Sequence, residues 1–380
     1  MANPESIPFN KPFLTGREVD YIRQAVESGK ISGDGLFTRK CHQFFTERFG
    51  FHKALLTTSC TDALEMAAIL LDIREGDEVI APSYTFVSTV NAFILRGARI
   101  VFADSAEDTP NLDHQQVEAL ITPRTKAIIP VHYAGMACEM DSLMALSQRY
   151  PLHIVEDAAQ AIDSYYKGRP LGGIGTFGAF SFHETKNVIS GEGGMLAVNK
   201  PEFDARAEII REKGTNRSAF FRGEVDKYGW VDMGSSFLPS EIIAAFLYAQ
   251  LENLAQIQQK RKALWERYFE CFEPLEKAGK LQRPRIPDYA TNNAHMFYLV
   301  CNSLDERSGL IAHLKSRGIM AVFHYLSLHS SKFYAEKHDG RALPRADYYT
   351  DRLLRLPLYY ELDAASQERV IDAVLSFYGV

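Results

Sequence analysis

SFHETKNVISGEGG, residues 181–194, is the stretch of sequence that decides the fold. It places Lys186 between the end of a short apolar run and a glycine-rich turn at 191–194. Upstream, IVEDAAQ at residues 154–160 has the apolar pattern of a buried strand, which ends in Asp157. A carboxylate in that position lies at the carboxyl edge of a sheet, where α/β proteins bind ligands. The sequence therefore predicts an amine and a carboxylate at one ligand-binding edge.

This pair of side chains suits one cofactor. Pyridoxal phosphate needs a lysine that forms a Schiff base with it and an acid that keeps its ring nitrogen protonated. The residues alone leave other interpretations open, because Lys186 could be a surface turn lysine and Asp157 could cap the next helix. Ser181 can donate to a phosphate oxygen or pair with backbone. Phe86, or Tyr84 two residues earlier, can stack on a cofactor ring or pack in the core.

The composition is typical of a globular enzyme of about two domains. Of the 380 residues, 46% are hydrophobic and 24% are charged. The net charge is −6 and no basic run stands out, so nucleic acid is not an expected partner. We expect neither a membrane span nor a signal peptide. Five scattered cysteines form no CxxC pair and no metal-binding pattern, which indicates buried free thiols in a reducing, cytoplasmic compartment: Cys41, Cys60, Cys138, Cys271 and Cys301.

Apolar strand patterns alternate with helical patterns through the first half of the chain, which is typical of parallel βαβ units. Four of these strands are KALLTT (53–58), EVIAPSYTF (78–86), ARIVFAD (98–104) and KAIIPVHYAG (126–135). No GxGxxG motif follows the first strand, so a dinucleotide-binding Rossmann domain is not indicated. We predict an α/β fold, with a large domain of mostly parallel sheet over residues 1–245 and a small C-terminal α+β domain over residues 246–380.

Local motifs mark several helix ends. Thr15 and Glu18 have the spacing of a capping box, and Thr38 predicts the cap of a second helix. Ser59 precedes CTDALEMAAILL and predicts the cap of a third helix. The free N–H groups at such a start form a natural phosphate site, although an ordinary capped helix has the same pattern. From Ser240 a helical pattern continues for more than about 25 residues, which predicts a connector between the domains.

Several motifs together closely resemble the sugar aminotransferases of the DegT/DnrJ/EryC1/StrS family, over nearly the whole chain. The matching segments are TSCTDALEMA, PSYTFVSTVNA, PVHYAG, VEDAAQA, SFHETKN, GEGG, SEIIAAFLYAQLE and the pair His324 and Tyr325. The resemblance implies the aspartate aminotransferase type of fold, known as fold type I. It also implies a pyridoxal phosphate cofactor that alternates with pyridoxamine phosphate, and it implies that Lys186 binds the cofactor covalently.

The resemblance implies roles for further residues at the cofactor. These are Asp157 at the ring nitrogen, Gln160 at the ring hydroxyl, Phe86 against the ring face, and Ser181 with the backbone of Cys60 and Thr61 at the phosphate. It also implies a homodimer with shared active sites. Many members have an asparagine that reaches the partner subunit's phosphate. This chain reads GSSFLPS there, with Ser236 at the asparagine position.

Residues 214–236 are polar and aromatic with little periodicity, and a loop of this length usually carries function. The loop resembles the branch of the family that transfers an amino group from glutamate to C4 of a nucleotide-linked 4-keto-6-deoxyhexose. The cations of the loop and the adjoining Lys213 suit a diphosphate, and its aromatic residues suit a base or sugar. The cations are Lys213, Arg217, Arg222 and Lys227, and the aromatic residues are Phe220, Phe221, Tyr228 and Trp230. His324 and Tyr325 are further candidates for substrate binding. A solvated loop anchored by its aromatic residues is the other interpretation.

Three other functions stay open. One is amination at C3 or of a different nucleotide sugar. Another is dehydration, but relatives of that kind have histidine in place of the Schiff-base lysine, whereas this chain has Lys186 close to His183. The third is a binding protein without catalysis, since a fold does not fix a function.

Overall fold

The computed structural model describes residues 6–380 and contains a central seven-stranded sheet. The strands of the first 200 residues are β1 Lys53–Thr57, β2 Glu78–Pro82, β3 Arg99–Ala103, β4 Thr125–Ile128, β5 His153–Asp157, β6 Tyr165–Tyr166, β7 Arg169–Pro170, β8 Phe177–Ser181 and β9 Gly194–Val198. The sheet order is β1-β9-β8-β5-β4-β2-β3, while β6 and β7 form a separate hairpin. β9 is antiparallel to its two neighbours, β1 and β8, whereas every other pair of neighbouring strands in this sheet is parallel. The predicted mostly parallel α/β sheet is confirmed, and β5 lies at its centre.

Helices cover both faces of this sheet. The α-helices of residues 6–380, including those that pack on the second sheet, are α1 Glu18–Glu27, α2 Leu36–Phe49, α3 Cys60–Leu70, α4 Ser88–Ile94, α5 His114–Val117, α6 Met140–Arg149, α7 Asp204–Arg211, α8 Arg217–Phe221, α9 Glu241–Glu252, α10 Leu254–Cys271, α11 Glu273–Lys277, α12 Leu304–Ser316, α13 Pro344–Arg352 and α14 Ala364–Phe377. Successive strand residues alternate between two cores, so Leu55 packs with α3, α4 and α7 while Ala54 and Leu56 pack with α2, α6 and α9. Burying each large apolar side chain contributes roughly 1.5–3 kcal/mol.

The C-terminal part contains a second sheet, which is antiparallel. Its strands are β10 Leu281–Gln282, β11 Phe297–Cys301, β12 Val322–Phe323 and β13 Leu353–Leu356, in the order β10-β11-β13-β12. The core under this sheet is continuous with the α3 side of the central sheet. The predicted domain boundary after residue 245 falls inside α9, so the division at that residue stays a prediction.

The helix starts differ in how they are capped. At α3 the Ser59 hydroxyl accepts a hydrogen bond from the Asp62 N–H (3.0 Å), which confirms the predicted cap. The prediction for Thr38 is wrong, because α2 begins two residues earlier at Leu36. The buried carboxylate of Glu241 takes over this function, accepting from the N–H groups of Phe37 (2.7 Å) and Thr38 (3.0 Å). A partner some 200 residues away in sequence cannot be read from a local motif.

Other expectations are met in part. The Glu18 carboxylate accepts from the Thr15 N–H (2.8 Å), but the Thr15 side chain does not cap α1, so only half of the capping box forms. The long helical pattern after Ser240 divides at Asn253 into α9 and α10. No helix within residues 6–380 is long and apolar enough to cross a membrane. All five cysteines are free; three are buried, while Cys60 and Cys271 are partly exposed.

Candidate active site

A cavity of about 630 Å³ opens at the carboxyl edge of the central sheet, against the small antiparallel sheet. Three groups of side chains line it. They are Ser59, Cys60 and Thr61 at the start of α3; Phe86, Asp157, Gln160, Ser181 and Lys186 around the sheet edge; and His295, His324, Tyr325 and Arg355 from the C-terminal part. The structure therefore brings Lys186 and Asp157 together with most of the other predicted cofactor residues.

Asp157 ends the central strand β5, and its carboxylate is buried. One oxygen accepts from the Thr89 hydroxyl (2.7 Å) and the other from the Ala159 N–H (3.1 Å). Burial raises the pKa of Asp157, while Thr89, Ala159 and the nearby Lys186 amine act in the opposite direction. A buried carboxylate in this position is stabilised by a cationic or strongly donating partner in the cavity.

Lys186 lies in a tight loop between β8 and β9. The loop is closed by hydrogen bonds from Lys186 N–H to the His183 carbonyl (2.9 Å) and from Ser190 N–H to the Phe182 carbonyl (2.7 Å). Gly191 has a φ of +81°, a conformation that favours glycine. Burial lowers the pKa of Lys186, and Arg355 adds to this effect, while Cys60 and Asp157 oppose it. The amine is therefore more readily neutral than that of a surface lysine, as a nucleophile or general base requires.

The start of α3 and the end of β8 form a third part of the cavity. Ser181 of β8 is paired with Gly194 of β9. A Cβ at Gly194 would lie 2.3 Å from the Ser59 carbonyl carbon, so only glycine allows the helix start to approach this closely. The first N–H groups of a helix have no acceptor within it, which leaves those of Cys60 and Thr61 available to an anion. The Thr61 hydroxyl also donates to Ser88 Oγ (2.9 Å).

Gln160 and Tyr325 join the two sheets across the cavity. The Gln160 side-chain oxygen accepts from the Ala134 N–H (2.6 Å), and its amide donates to the Tyr325 hydroxyl (2.9 Å). His324 stacks on Tyr325 with ring centroids 3.5 Å apart, and its Nδ1 lies 2.6 Å from the Tyr133 hydroxyl. Burial lowers the pKa of His324 well below its usual range, so its imidazole is neutral.

The two candidate stacking residues differ in position. Phe86 lines the cavity, and 55% of its surface is exposed. Tyr84 is 1% exposed and packs against Tyr133, with ring centroids 5.6 Å apart, away from the cavity lining. Of these two candidates, the geometry therefore leaves Phe86 as the one that can contact a ring in the cavity.

The predicted substrate loop does not reach the cavity of its own chain. None of Lys213, Arg217, Phe220, Phe221, Arg222, Lys227, Tyr228, Trp230 or Ser236 lines it. The loop contains the short helix α8, which the sequence pattern did not reveal, and Trp230 is 84% exposed. Arg222 forms an ion pair with Glu208 (2.9 Å), and the Arg217 guanidinium lies 5.1 Å from the centre of the Phe221 ring. Their roles toward substrate stay predictions.

The sequence patterns did not predict that Thr89, His295 and Arg355 would lie at the site. Thr85 precedes α4 and is four residues before Thr89, and the two hydroxyls are 2.9 Å from each other. That spacing was visible in the sequence, but nothing local indicated that Thr89 would meet Asp157. His295 and Arg355 come from the second sheet, whose position over the first depends on tertiary packing.

The residues around the cavity fit pyridoxal phosphate. A buried carboxylate with room for a donor suits the ring nitrogen, and a buried lysine amine suits the aldehyde. The helix start beside Ser181 suits the phosphate. In residues 6–380 no cluster of three or more histidine, cysteine, aspartate or glutamate side chains has the arrangement of a metal site.

Comparison with known proteins agrees with this geometry. The sequence profile of the DegT/DnrJ/EryC1/StrS aminotransferase family matches residues 12–375. DesV of S. venezuelae, solved with a ketimine intermediate, is 32% identical over 99% of both chains, with a TM-score of 0.90. The aminotransferase TlmJ of Streptoalloteichus hindustanus is 28% identical over 98% of both chains, with a TM-score of 0.89.

Spr1654 of Streptococcus pneumoniae, provisionally assigned as a sugar aminotransferase, has been solved in PLP and PMP forms. Each form is 27% identical to this chain over 98% of both chains, with TM-scores of 0.89 and 0.90. The predicted cofactor and fold type I are thereby confirmed. The chain belongs to the DegT/DnrJ/EryC1/StrS aminotransferase family and is a pyridoxal-phosphate-dependent sugar aminotransferase.

Proposed function

We propose that the enzyme converts dTDP-4-keto-6-deoxyglucose and L-glutamate to dTDP-4-amino-4,6-dideoxygalactose and 2-oxoglutarate. The observation that carries the amino-transfer part is the shared cavity of Lys186 and Asp157, with a helix start at the same edge. Support for the substrate comes from the resemblance of residues 214–236 to the branch that forms this 4-amino sugar. The product serves polysaccharide biosynthesis, with enterobacterial common antigen as the pathway that the resemblance suggests.

Lys186 is the proposed general acid and base. When bound, pyridoxal phosphate withdraws electrons and makes the donor's α-carbon acidic. Lys186 Nζ accepts the proton from that carbon in the first half-reaction and delivers a proton to C4 of the sugar in the second. The lowered pKa of Lys186 favours both steps, since the amine must exchange protons near neutral pH. The sugar face turned toward Lys186 decides between the galacto and gluco products.

Other residues are proposed to hold the cofactor. Asp157 presents its carboxylate to the ring nitrogen, and the Thr89 hydrogen bond favours the ionised form of that carboxylate and orients it. Gln160 contacts the ring hydroxyl from an amide fixed by Ala134 and Tyr325. Ser181 and the first N–H groups of α3 bind the phosphate.

We further propose a homodimer in which the loop at 214–236 completes the partner's site. The exposed aromatic residues of this loop support the proposal, because Phe221, Tyr228 and Trp230 are 69%, 53% and 84% exposed in the single chain. Large apolar side chains exposed together commonly mark an interaction surface. Ser236, also exposed, would donate one hydrogen bond across the dimer in place of the asparagine found in many members.

One experiment tests the substrate and the product together. Purified enzyme is incubated with dTDP-4-keto-6-deoxyglucose and L-glutamate, and the C4 configuration of the amino sugar is determined by NMR. The galacto product supports the proposal. A gluco product, a 3-amino sugar from the 3-keto isomer, or a dehydrated sugar would replace it with one of the alternatives. Lys186→Ala should abolish turnover, and retained transamination in that variant would contradict the assigned chemistry.

A further inference from the structure

His295 is a buried histidine that lines the cavity, and the residue next to Lys186 fixes its ring. The His295 Nδ1 atom lies 2.9 Å from the Asn187 side-chain oxygen. The Asn187 amide nitrogen donates to the Gln258 side-chain oxygen (2.8 Å) and to the Asn293 carbonyl (2.9 Å). A backbone carbonyl only accepts, so the amide nitrogen of Asn187 faces Asn293 and its oxygen faces His295. Nδ1 of His295 therefore carries a hydrogen.

The other ring nitrogen of His295 is thereby left as an acceptor. Burial lowers the pKa of His295 well below its usual range, so the imidazole is neutral and has a single N–H group. Because that hydrogen is on Nδ1, Nε2 presents a lone pair, and within residues 6–380 it accepts no hydrogen bond. Acceptors in protein interiors are normally paired, so this lone pair indicates a donor in the cavity.

The ring of His295 is held from three directions. Besides its contact with the lysine loop, its backbone N–H donates to the Asn293 side-chain oxygen (3.0 Å). The Asn293 amide in turn donates to the carbonyls of Gln160 and Ile162, both at 2.8 Å. A Cβ at Gly135 would lie 1.9 Å from the Asn293 oxygen, so only glycine leaves room for this amide. The Nε2 lone pair therefore belongs to a preorganised ring, which suits a group that positions another.

Two observations point to Lys186 as the donor. Asn187, which fixes the ring, follows Lys186 directly in the chain, and both His295 and Lys186 line the cavity. The charge of Lys186 also lowers the pKa of His295 more than that of Arg355, the other cation of the cavity lining. At His324 the order of these two cations is reversed. The lysine amine is therefore the cavity cation that acts most strongly on His295.

We propose that His295 Nε2 accepts a hydrogen bond from the Lys186 amine whenever that lysine is free of the cofactor, so that His295 is a positioning residue for proton transfer. This proposal rests on the amino-transfer function proposed above. The stem of a free lysine is flexible, and one fixed acceptor holds its nitrogen at a defined place in the cavity. The hydrogen bond strengthens when Lys186 takes up a proton, because it is then charge-assisted. His295 thus stabilises Lys186 while it carries the proton.

The test compares His295→Gln and His295→Asn with the wild type, each loaded with pyridoxal phosphate. A glutamine amide reaches the position of Nε2 and can accept from Lys186, whereas an asparagine amide reaches the position of Nδ1 and keeps the bond to Asn187. Single-turnover absorbance measurements with L-glutamate and α-deuterated L-glutamate give the rate and the isotope effect of proton transfer. His295→Asn should slow this step on the order of 100-fold, with a larger isotope effect, and His295→Gln by less than about tenfold.

Dissociation constants of pyridoxal phosphate and L-glutamate, measured by absorbance titration, should be nearly the same in both variants and the wild type. A histidine that only held Asn187 in place would give the opposite order of rates. A slower His295→Gln than His295→Asn, or equal rates in the two, would therefore overturn the proposal.

His42→Gln is the matched control. Burial also lowers the pKa of His42, to about 3, and its Nε2 accepts from the Leu56 N–H (3.0 Å), but His42 does not line the cavity. Glutamine preserves an acceptor there, and the rate of proton transfer should stay at the wild-type value.

The tautomer of His295 is a second test, read on the wild type. Protein labelled with ¹⁵N-histidine is loaded with pyridoxamine phosphate, which leaves Lys186 free, and the His295 signals are identified by their loss in whichever variant folds. ¹⁵N NMR at neutral pH should show a protonated Nδ1 and a bare Nε2, and a protonated Nε2 would overturn the proposal. A wild type that transfers no amino group from L-glutamate contradicts the proposed function instead, since the tautomer is read without turnover.

Discussion

Two acidic residues stand side by side at the end of β5, and their surroundings differ. Successive strand residues point to opposite faces, so Glu156 and Asp157 enter different environments. Glu156 is fully buried and accepts four hydrogen bonds. They come from His132 Nε2 (2.9 Å) and from the N–H groups of Gly172 (2.8 Å), Ile174 (2.7 Å) and Gly175 (2.6 Å). Its carboxylate has no capacity left for a ligand.

The Asp157 carboxylate accepts only two hydrogen bonds from the described residues, and it borders the cavity. Burial raises the pKa of Asp157, whereas both carboxylate oxygens of Glu156 accept hydrogen bonds from the protein. The comparison teaches that two buried carboxylates next to each other can serve different ends. One ties the 172–175 loop to the sheet, and the other is incompletely satisfied by the fold and is available to a cofactor.

Of these variants, Asp157→Asn should have the largest effect, and that effect is on the rate of turnover. An amide carries no charge to stabilise a protonated ring nitrogen, so turnover should fall on the order of 10³-fold. Single-turnover absorbance measurements with L-glutamate check this. Circular dichroism should show an unchanged fold, and a rate within a few-fold of wild type would remove the distinction between the two acids.

Glu156→Gln should act on stability. The amide replaces one acceptor oxygen with a donor facing another N–H group, so unfolding of the cofactor-free protein should be easier by about 3 kcal/mol. Urea unfolding measures this difference. Glu266→Gln, the same change at an exposed position of α10, is the control and should stay within about 0.5 kcal/mol. Unchanged stability of Glu156→Gln would mean that its four hydrogen bonds are not structural.

Thr89→Val sharpens the account of Asp157. Loss of the 2.7 Å hydrogen bond removes a group that lowers the pKa of Asp157, so the pKa should rise further. Cofactor binding needs the ionised carboxylate, which forms above that pKa. The acid limb of a plot of pyridoxal phosphate affinity against pH should therefore move to higher pH, with about tenfold weaker binding below neutrality. Thr89→Ser, which keeps the hydroxyl, should restore the wild-type profile.

The smallest effect concerns the stability of the cofactor-free protein. A carboxyl group whose folded pKa is raised destabilises the folded state once it ionises, that is, as pH rises through the raised value. Asp157→Asn should therefore stabilise the cofactor-free protein at pH 8, by less than about 1 kcal/mol, and have no such effect at pH 4. Thermal unfolding at the two pH values tests the sign, and destabilisation at pH 8 would contradict it.

The sequence predicted the residues that follow strand periodicity and local motifs. Asp157, Lys186 and Ser181 lie where their strands and turns indicated, and Ser59 caps α3 as its spacing to Asp62 required. What the sequence could not show depends on long-range packing. Glu241 replaces Thr38 as the cap of α2, and Arg355 reaches the cavity from the second sheet.

The pattern Val-Glu-Asp also gives no sign of which acid is structural. That difference arises because the loop at 172–175 folds back onto the Glu156 side of the strand. The loop at 214–236 is another example, since its residues lie away from the cavity of their own chain, and their proposed contacts with substrate would require the proposed dimer.

The claim on which this account depends is that Lys186 is the lysine that bonds to the cofactor. Reduction of the loaded enzyme with sodium borohydride fixes the cofactor to its lysine, and peptide mass spectrometry then locates it. The account predicts one pyridoxyl group per chain, on Lys186. A label on a different lysine, or a loaded enzyme that takes up no label, would contradict it.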